Sequence, residues 1–316
     1  GRSRRSCASR RRSGRRPGER APVTLTPRVR AWRERGEAED VRGHRIHVFR
    51  RDGREPALLL LHGFPSSSYD WRLLLEQERE HAALAFDCLG FGLSEKPPRH
   101  SYSLAEQADI AEELAARHLG GLPVFAGGHD MGTSVATEPM ARDLRGELAM
   151  DLRGALLFNG SMIQTAASPT LAQRLLRGPA GPLAARLSNE RFFRRQFGSV
   201  FSDAHPLSDE EAADQWSLIA HDGGQRIGHR LISYMDERER KAERWHGALR
   251  DWPKPLHLAW GSEDPVATQN VLDGVLALRP QAPLARLEGL GHYPQIEDPA
   301  ALAGVLRGSL QAARGS

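Results

Sequence analysis

Gly127-Gly128-His129-Asp130-Met131-Gly132 is the stretch that decides how this chain folds. An apolar run, residues 122–126, precedes it, and a helical pattern begins at residue 133. A strand that passes through one polar residue between small neighbours into a helix has the layout of a nucleophile elbow. Gly128 and Gly132, two places on either side of Asp130, leave room for so tight a turn. Gly-Asp turns also join strands to helices without any catalytic role, so the rest of the chain must decide between the two interpretations.

Apolar runs and helical patterns alternate along most of the chain. Continuous apolar runs are typical of parallel strands buried on both faces, and amphipathic segments between them are typical of helices that cover a sheet. Asp52-Gly53 predicts a hairpin-style turn between the first two strands. The alternation predicts an α/β fold with a mostly parallel, doubly wound sheet. The predicted strands are residues 45–49, 57–61, 82–86, 122–126, 152–158, 255–261 and 284–287, and the predicted helices are about 103–118, 133–144, 270–278 and 299–310.

The alternation stops between residues 161 and 249, where the pattern is helical and rich in arginine. A helical insertion between two strands of an α/β sheet is a natural position for a lid. We therefore predict three parts: a basic disordered tail (1–26), a core (27–160 and 250–316) and a helical cap, or lid (161–249), inserted before the last two strands.

The positive charge of the chain is concentrated in its first twenty residues. The net charge is +4, and this segment alone holds nine arginines and one acid, Glu19. Such a segment can be a nucleic-acid-binding arm, an export signal or disordered sequence without function. The residues after the arginines are not apolar enough for an export signal, and no nucleic-acid-binding module accompanies them. We expect disorder without function and no nucleic-acid partner.

The rest of the composition is ordinary for a globular protein, with 40% hydrophobic and 27% charged residues. No apolar run approaches the roughly 20 residues of a membrane span. Cys7 and Cys88 are far apart in the chain, so neither a disulfide framework nor a cysteine metal site is expected. A reducing cytoplasm fits this cysteine usage. We expect a cytoplasmic monomer or homodimer without a membrane span.

Three polar residues, Asp130, Asp264 and His292, each lie just after a predicted strand. The carboxyl ends of parallel strands share one edge of a sheet, so these side chains are expected in a common crevice. Taken singly, Asp264 can be a helix N-cap and His292 a surface turn residue, and Glu263 is a competing acid. Their joint occurrence in the order nucleophile, acid, histidine favours a catalytic set.

Six sequence landmarks occur in order along the chain: His62-Gly63-Phe64-Pro65, Ser67-Ser68-Tyr69-Asp70-Trp71, Asp87-x-x-Gly90-x-Gly92-x-Ser94, His129-Asp130-x-Gly132, Asp264-Pro265-Val266, and Gly291-His292-Tyr293-Pro294-Gln295-x-Glu297-Asp298-Pro299. With them the chain resembles the α/β-hydrolases of the epoxide hydrolase and haloalkane dehalogenase group, most closely the mesoderm-specific transcript branch. The resemblance covers about residues 30–312. It implies an α/β-hydrolase fold and a triad of Asp130, Asp264 and His292 that needs no cofactor or metal.

The resemblance also implies how the triad would act. An aspartate nucleophile attacks a saturated carbon and leaves an alkyl ester on Asp130. His292, oriented by Asp264, then activates water against that ester. The backbone N–H groups of Phe64 and Met131 are the expected oxyanion donors. An epoxide hydrolase-like activity on a small apolar substrate is the favoured function.

The leaving group separates the candidate reactions. An epoxide oxygen needs a proton donor, which cap tyrosines supply in this group; Tyr234 matches one of them in placement but can equally be a packing aromatic. A halide needs N–H donors, whereas Met131 and Pro65 stand where dehalogenases commonly carry Trp and Asn. Haloacetate enzymes carry arginine where this chain has Met131 and Ser134. The alternatives are therefore a haloalkane dehalogenase-like hydrolase and a non-catalytic small-molecule binder on the same fold.

Two further sets of residues allow more than one interpretation. Trp71 and Trp216 can line the substrate pocket or pack in the core. Four histidines in the predicted cap do not repeat a metal-ligand spacing, so no metal site is predicted there. They are His205, His221, His229 and His246.

Overall fold

The computed structural model describes residues 23–314, which form one eight-stranded sheet covered by helices. The strands are β1 (Gly36–Val41), β2 (His44–Arg51), β3 (Arg54–Leu61), β4 (His81–Phe86), β5 (Val124–His129), β6 (Leu152–Phe158), β7 (Leu256–Gly261) and β8 (Leu284–Leu287). Their order across the sheet is β1-β2-β4-β3-β5-β6-β7-β8. All pairs from β4 to β8 are parallel, while β2 pairs antiparallel with both β1 and β4. The predicted α/β class with a mostly parallel sheet is confirmed.

The turn at Asp52-Gly53 does not close a hairpin, contrary to the prediction. Strand β4 lies between β2 and β3, so the two strands that this turn joins are not neighbours. The antiparallel hairpin is instead formed by β1 and β2, with Arg42 and Gly43 at positive φ between them. Strand β1 carries three acidic side chains in six residues, and for that reason hydrophobic patterning did not reveal it.

The core helices form two layers, one on each face of the sheet. Helices α1 (Pro27–Glu34) and α2 (Arg72–Gln77) pack with the last helix of the chain on one face, through Trp32, Leu74 and Leu306. Helices α3 (Leu104–His118) and α4 (Met131–Asp143) pack on the other face through Ile110 and Val135. The apolar strands β3, β4 and β5 therefore lie at the centre of the molecule, buried on both sides.

The segment between β6 and β7 is helical, as its pattern indicates. It contains α5 (Leu171–Arg177), α6 (Gly181–Leu187), α7 (Glu190–Gly198), α8 (Asp209–Ile219), α9 (Gly228–Leu231), α10 (Tyr234–Arg240) and α11 (Ala242–Asp251). Helix α11 packs against α4 through Trp245 and Leu249. We call residues 161–249 the inserted segment. After β7 follow α12 (Gln269–Leu278), α13 (Pro294–Glu297) and α14 (Pro299–Arg314).

The predicted tail falls almost entirely outside the described residues. Within its last four residues, Leu25 is buried and the side chain of Thr26 caps α1 by accepting a hydrogen bond from the backbone of Val29. These residues therefore belong with the folded chain, and the division into tail, core and cap stays a prediction. Among residues 23–314, none of the helices is long and apolar enough to cross a membrane.

Candidate active site

Five loops meet at the carboxyl edge of the parallel strands. They follow β3, β5, β6, β7 and β8, and each contributes a residue that lies within five positions of the last residue of its strand. The side chains or backbone groups that they contribute are Phe64, Asp130, Asn159, Asp264 and His292. This convergence explains why residues far apart in the chain can form one site.

Asp130 lies at a strained turn between β5 and α4. Its φ and ψ are 45° and −111°, outside the usual regions for a residue with a side chain, and it is 1% exposed. A Cβ on Gly132 would lie 2.0 Å from the carbonyl oxygen of Leu61, and one on Gly128 would lie 2.8 Å from the carbonyl oxygen of Gly132. Both glycines are therefore required by close backbone approach, as the sequence indicates.

The carboxylate of Asp130 is held asymmetrically. The backbone N–H of Phe64 donates a hydrogen bond of 2.9 Å to Oδ2, whereas Oδ1 has no hydrogen-bond partner among the described residues. Met131 is the first residue of α4, so its N–H has no partner within the helix. The arrangement leaves one oxygen of Asp130 free and places the predicted Phe64 donor on the other.

His292 and Asp264 form a buried hydrogen-bonded pair. Nδ1 of His292 lies 2.7 Å from Oδ2 of Asp264. The other oxygen of Asp264 accepts hydrogen bonds from the backbone N–H groups of Val266 and Ala267, at 2.7 and 3.0 Å. Glu263, the competing acid, is exposed to solvent. The Asp264 carboxylate is thus fixed in place and is the one that contacts the histidine.

The protonation of His292 reflects two opposing effects. Burial by itself lowers the pKa of the imidazole, because it disfavours the charged ring, but the Asp264 carboxylate outweighs it and Asp130 adds to the same effect. The net result is a raised pKa. The negative charge of Asp130 therefore contributes to the raised pKa of His292.

Three residues that the sequence did not mark as functional support this pair. Asn159, at the end of β6, donates from Nδ2 to Oδ2 of Asp264 at 2.7 Å. His129, directly before Asp130, places Nε2 at 2.7 Å from the carbonyl oxygen of His292, and Gln295 donates to its Nδ1 at 3.1 Å. His129 must therefore carry its proton on Nε2. The position of Asn159 after a central strand is a sequence signal that could have marked it.

Arg238 is the largest addition that the structure makes to the site. It lies on α10, is 2% exposed, and donates from Nε to Oγ of Ser134 at 2.8 Å and from Nη2 to the backbone oxygen of Asp130 at 2.7 Å. The same Nη2 is 3.9 Å from Oδ1 of Asp130. In the sequence it belongs to an alternating run of acidic and basic residues, 236–241, which is typical of a solvated helix face and hides this role.

Tyr234 contacts Phe64 and Arg238 but is not among the residues that line the main cavity. Its ring centroid is 5.7 Å from that of Phe64, and the Arg238 guanidinium lies 4.8 Å from it on the ring face. Burial, followed by the charge of Asp130, raises the pKa of the phenol well above its ordinary value. Tyr234 is therefore a neutral phenol within the electrostatic influence of Asp130.

Trp71 occupies a different part of the molecule from the one proposed for it. It is fully buried in the core face that contains α2 and α14, and its ring meets that of Phe158 edge to face at 5.8 Å. It does not line the cavity, so the packing role that the sequence also allows accounts for it. Trp216, by contrast, does line the cavity.

The cavity beside His292 has a volume of about 380 Å³ and is mainly apolar. Core residues close one side of it, and aromatic and aliphatic side chains of the inserted segment close the other. Representative lining residues are Phe64, His292, Phe193, Phe197, Trp216 and Leu231. A cavity of this size and character accommodates a small apolar molecule.

One cluster among the described residues has metal-ligand chemistry. Ligand atoms of His44, His100 and Glu106 lie within 4.8 Å of one another. Nε2 of His100 is already 2.6 Å from Oε2 of Glu106, which is hydrogen-bond distance. None of these residues belongs to the loops that carry Asp130, Asp264 and His292.

Comparison with known proteins places the chain among hydrolases. A family model described as the alpha/beta hydrolase family matches residues 58–305. The protein LipZ of Mycobacterium tuberculosis is 52% identical over 278 residues, covering 88% of this chain and 96% of LipZ. The mesoderm-specific transcript protein of Mus musculus is 33% identical over 292 residues, covering 88% of this chain and 86% of its own length.

Solved structures with the same fold include two relevant enzymes. The epoxide hydrolase CorEH aligns with a TM-score of 0.71 at 22% identity, covering 88% of this chain and 98% of CorEH. The haloalkane dehalogenase DatA of Agrobacterium tumefaciens C58 aligns with a TM-score of 0.73 at 20% identity, covering 88% and 96%. At these identities the likeness shows the fold alone.

Proposed function

The chain belongs to the alpha/beta hydrolase family, and on that basis we propose that it is a cofactor-independent hydrolase with Asp130 as nucleophile. The observation that carries the proposal is the asymmetric environment of the Asp130 carboxylate. One oxygen accepts the Phe64 N–H at 2.9 Å, and the other is free of hydrogen bonds among the described residues. Asp130 is not itself among the residues that line the cavity, but Phe64 and His292 are. A carboxylate oxygen without a hydrogen bond suits attack on a saturated carbon.

In the first step, Oδ1 of Asp130 forms a bond to a substrate carbon while that carbon's bond to an epoxide oxygen or a halogen breaks. The product is an alkyl ester on Asp130. In the second step, His292 takes a proton from water, and the resulting hydroxide attacks the ester carbonyl. The Phe64 and Met131 N–H groups stabilise the oxyanion. Its collapse expels an alkoxide, which takes the proton held by His292 and leaves as an alcohol, and loss of the carboxyl proton to water restores the Asp130 carboxylate. Asp264 balances the charge of the protonated His292.

An epoxide is the favoured substrate class. Opening an epoxide produces an alkoxide, which needs a proton, and Tyr234 is a neutral phenol whose pKa is affected by the Asp130 charge. A second candidate is a haloalkane. It requires the same attack by Oδ1 of Asp130, and the halide would leave on the opposite side of the carbon, away from Arg238. The apolar cavity beside His292 fits either substrate.

The proposal is tested by trapping the ester. A panel of epoxides, haloalkanes and carboxylic esters is offered to the wild type and to His292→Gln and Asp130→Ala. His292→Gln should still form the alkyl ester but fail to hydrolyse it. Mass spectrometry should then find, on the peptide that contains Asp130, the mass of the epoxide or the mass of the haloalkane less that of the hydrogen halide. The class of substrate that labels the protein, epoxide or haloalkane, identifies the leaving group.

Asp130→Ala should neither turn over nor become labelled. Full activity in this variant would refute the nucleophile, and the absence of turnover and labelling with every substrate in the folded wild type would favour the non-catalytic binder. Asp130→Asn is less decisive, because an activated water can convert the amide back to the carboxylate.

A further inference from the structure

Four leucines on two neighbouring helices are exposed to solvent. Leu171 and Leu175 lie one turn apart on α5 and are 48% and 42% exposed, while Leu183 and Leu187 lie one turn apart on α6 and are 58% and 63% exposed. The spacing of four residues places each pair on one side of its helix. We call these four residues the leucine face. A fifth exposed leucine, Leu144, follows α4 and is separate from it.

Two of the four residues of the leucine face also line the cavity. Helices α5 and α6 pack against each other so closely that a Cβ on Gly181 would lie 2.2 Å from the carbonyl oxygen of Leu176. Leu175 and Leu187 are exposed to solvent and also line the cavity. The apolar surface therefore continues from the outside of the inserted segment into the cavity that contains His292.

The charge around the leucine face is positive. Residues 168–189 contain three arginines and no acid. Arg177 is paired with Asp236 and Glu239, and Arg194 with Glu190 and Asp209. Four other arginines on α5, α6 and α7 are exposed and have no ion pair among the described residues. They are Arg174, Arg186, Arg191 and Arg195.

We propose that the leucine face binds an anionic lipid surface and that apolar substrates enter the cavity from that surface. Contiguous exposed apolar residues mark interaction sites on folded proteins. Helices with leucines on one side and unpaired arginines beside them lie in the interface of a bilayer, where anionic headgroups attract the arginines. The binding step requires no chemistry at Asp130, so it stands independently of the proposed reaction.

A second copy of this chain is a poorer occupant. A symmetric dimer through the leucine face would bring the same patch of each subunit together. The unpaired arginines of one copy would then approach those of the other, and the α5–α6 segment offers no acid to compensate them. The charge around the face thus favours an anionic partner over self-association.

Vesicle co-sedimentation tests the proposal. The wild type should bind vesicles of phosphatidylglycerol and phosphatidylcholine, bind pure phosphatidylcholine vesicles more weakly, and lose binding as salt rises. The double variant Leu183→Ser/Leu187→Ser should partition at least about tenfold less, because its insertion area is lost. Leu144→Ser removes an exposed leucine elsewhere, 43% exposed, and should bind like the wild type.

Arg174→Gln/Arg186→Gln should weaken binding to the anionic vesicles and leave binding to pure phosphatidylcholine unchanged. Thermal unfolding of each variant shows that it is folded. Equal sedimentation of the wild type and the Leu183→Ser/Leu187→Ser variant would overturn the proposal. A second outcome would also overturn it. In that case the wild type forms dimers in size-exclusion chromatography, the leucine variant stays monomeric, and neither protein binds vesicles. Trapping of the Asp130 ester is measured without vesicles, so failure of either proposal is seen separately.

Discussion

The guanidinium of Arg238 lies 3.9 Å from Oδ1 of Asp130, although 108 residues separate the two in the chain. Both side chains are buried, and Asp130 is the only carboxylate paired with Arg238 among the described residues. Alkylation of Asp130 would remove the negative charge and leave a buried cation without a counter-ion, which is strongly unfavourable. Hydrolysis of the ester restores the carboxylate and with it the ion pair, so Arg238 favours the second step of the proposed reaction over the first.

Replacing Arg238 with Gln should slow hydrolysis of the alkyl ester. The change removes the buried positive charge that stabilises the carboxylate as it is restored, and loss of one such electrostatic stabilisation typically lowers a rate by about 10²–10³. The measurement is the single-turnover decay of the Asp130 ester with His292 intact. Arg240→Gln, exposed on the same helix, is the control, and its ester should decay at the unchanged rate. Equal decay in both variants would show that Arg238 has a structural role only.

The acid limb of the pH–rate profile should depend on Asp264. Asp264 raises the pKa of His292, and His292 must be neutral to act as a base, so activity should fall as pH drops through that raised pKa. In Asp264→Asn the histidine loses this charge and its pKa falls. The acid limb should therefore move to lower pH while the rate drops by about 10⁴. The measurement is the single-turnover rate of ester hydrolysis against pH, because formation of the ester does not require His292, and an unmoved acid limb would contradict the assignment.

Asp70 should make the protein less stable as pH rises towards neutrality. Burial raises the pKa of this carboxyl from 3.8 to about 7, although hydrogen bonds from Ser66 and Gln215 lower it. The folded state therefore holds a proton that the unfolded state has lost, and stability falls between pH 4 and 7. Asp70→Asn lacks this titration. Its free energy of unfolding in urea, relative to wild type, should rise by on the order of 2–3 kcal/mol between pH 5 and pH 8. Parallel profiles would refute this.

Gly132→Ala should disrupt the turn that carries Asp130. The added methyl group would lie 2.0 Å from the Leu61 carbonyl oxygen, so the backbone must move, and overpacking of this kind destabilises by about 1–3 kcal/mol or more. The matched control is Gly304→Ala, on the exposed side of α14 with no atom near the new methyl group. Helix propensity predicts that the control is stabilised by about 0.5–1 kcal/mol. Thermal unfolding should therefore shift the two variants in opposite directions.

Much of the fold and part of the site could be predicted because they follow from local patterns. The apolar runs of β3 to β7 mark buried strands wherever they occur in the chain. Parallel strands then bring their carboxyl ends to one edge, which is why Asp264 and His292, 28 residues apart, are found 2.7 Å apart. Pairing of strands is less local: nothing in Asp52-Gly53 reveals that β4 enters between β2 and β3.

The sequence by itself determined the α/β class, the turn that presents Asp130 and the order of the polar residues along the sheet edge. Only the tertiary structure decided that Trp71 packs in the core, that Arg238 reaches Asp130, and that four leucines remain on the surface. The physical reason is that these positions depend on how helices pack against the sheet and against one another. A helical pattern specifies which residues share a face. It does not specify whether that face packs against the sheet, packs against another helix or is exposed to solvent.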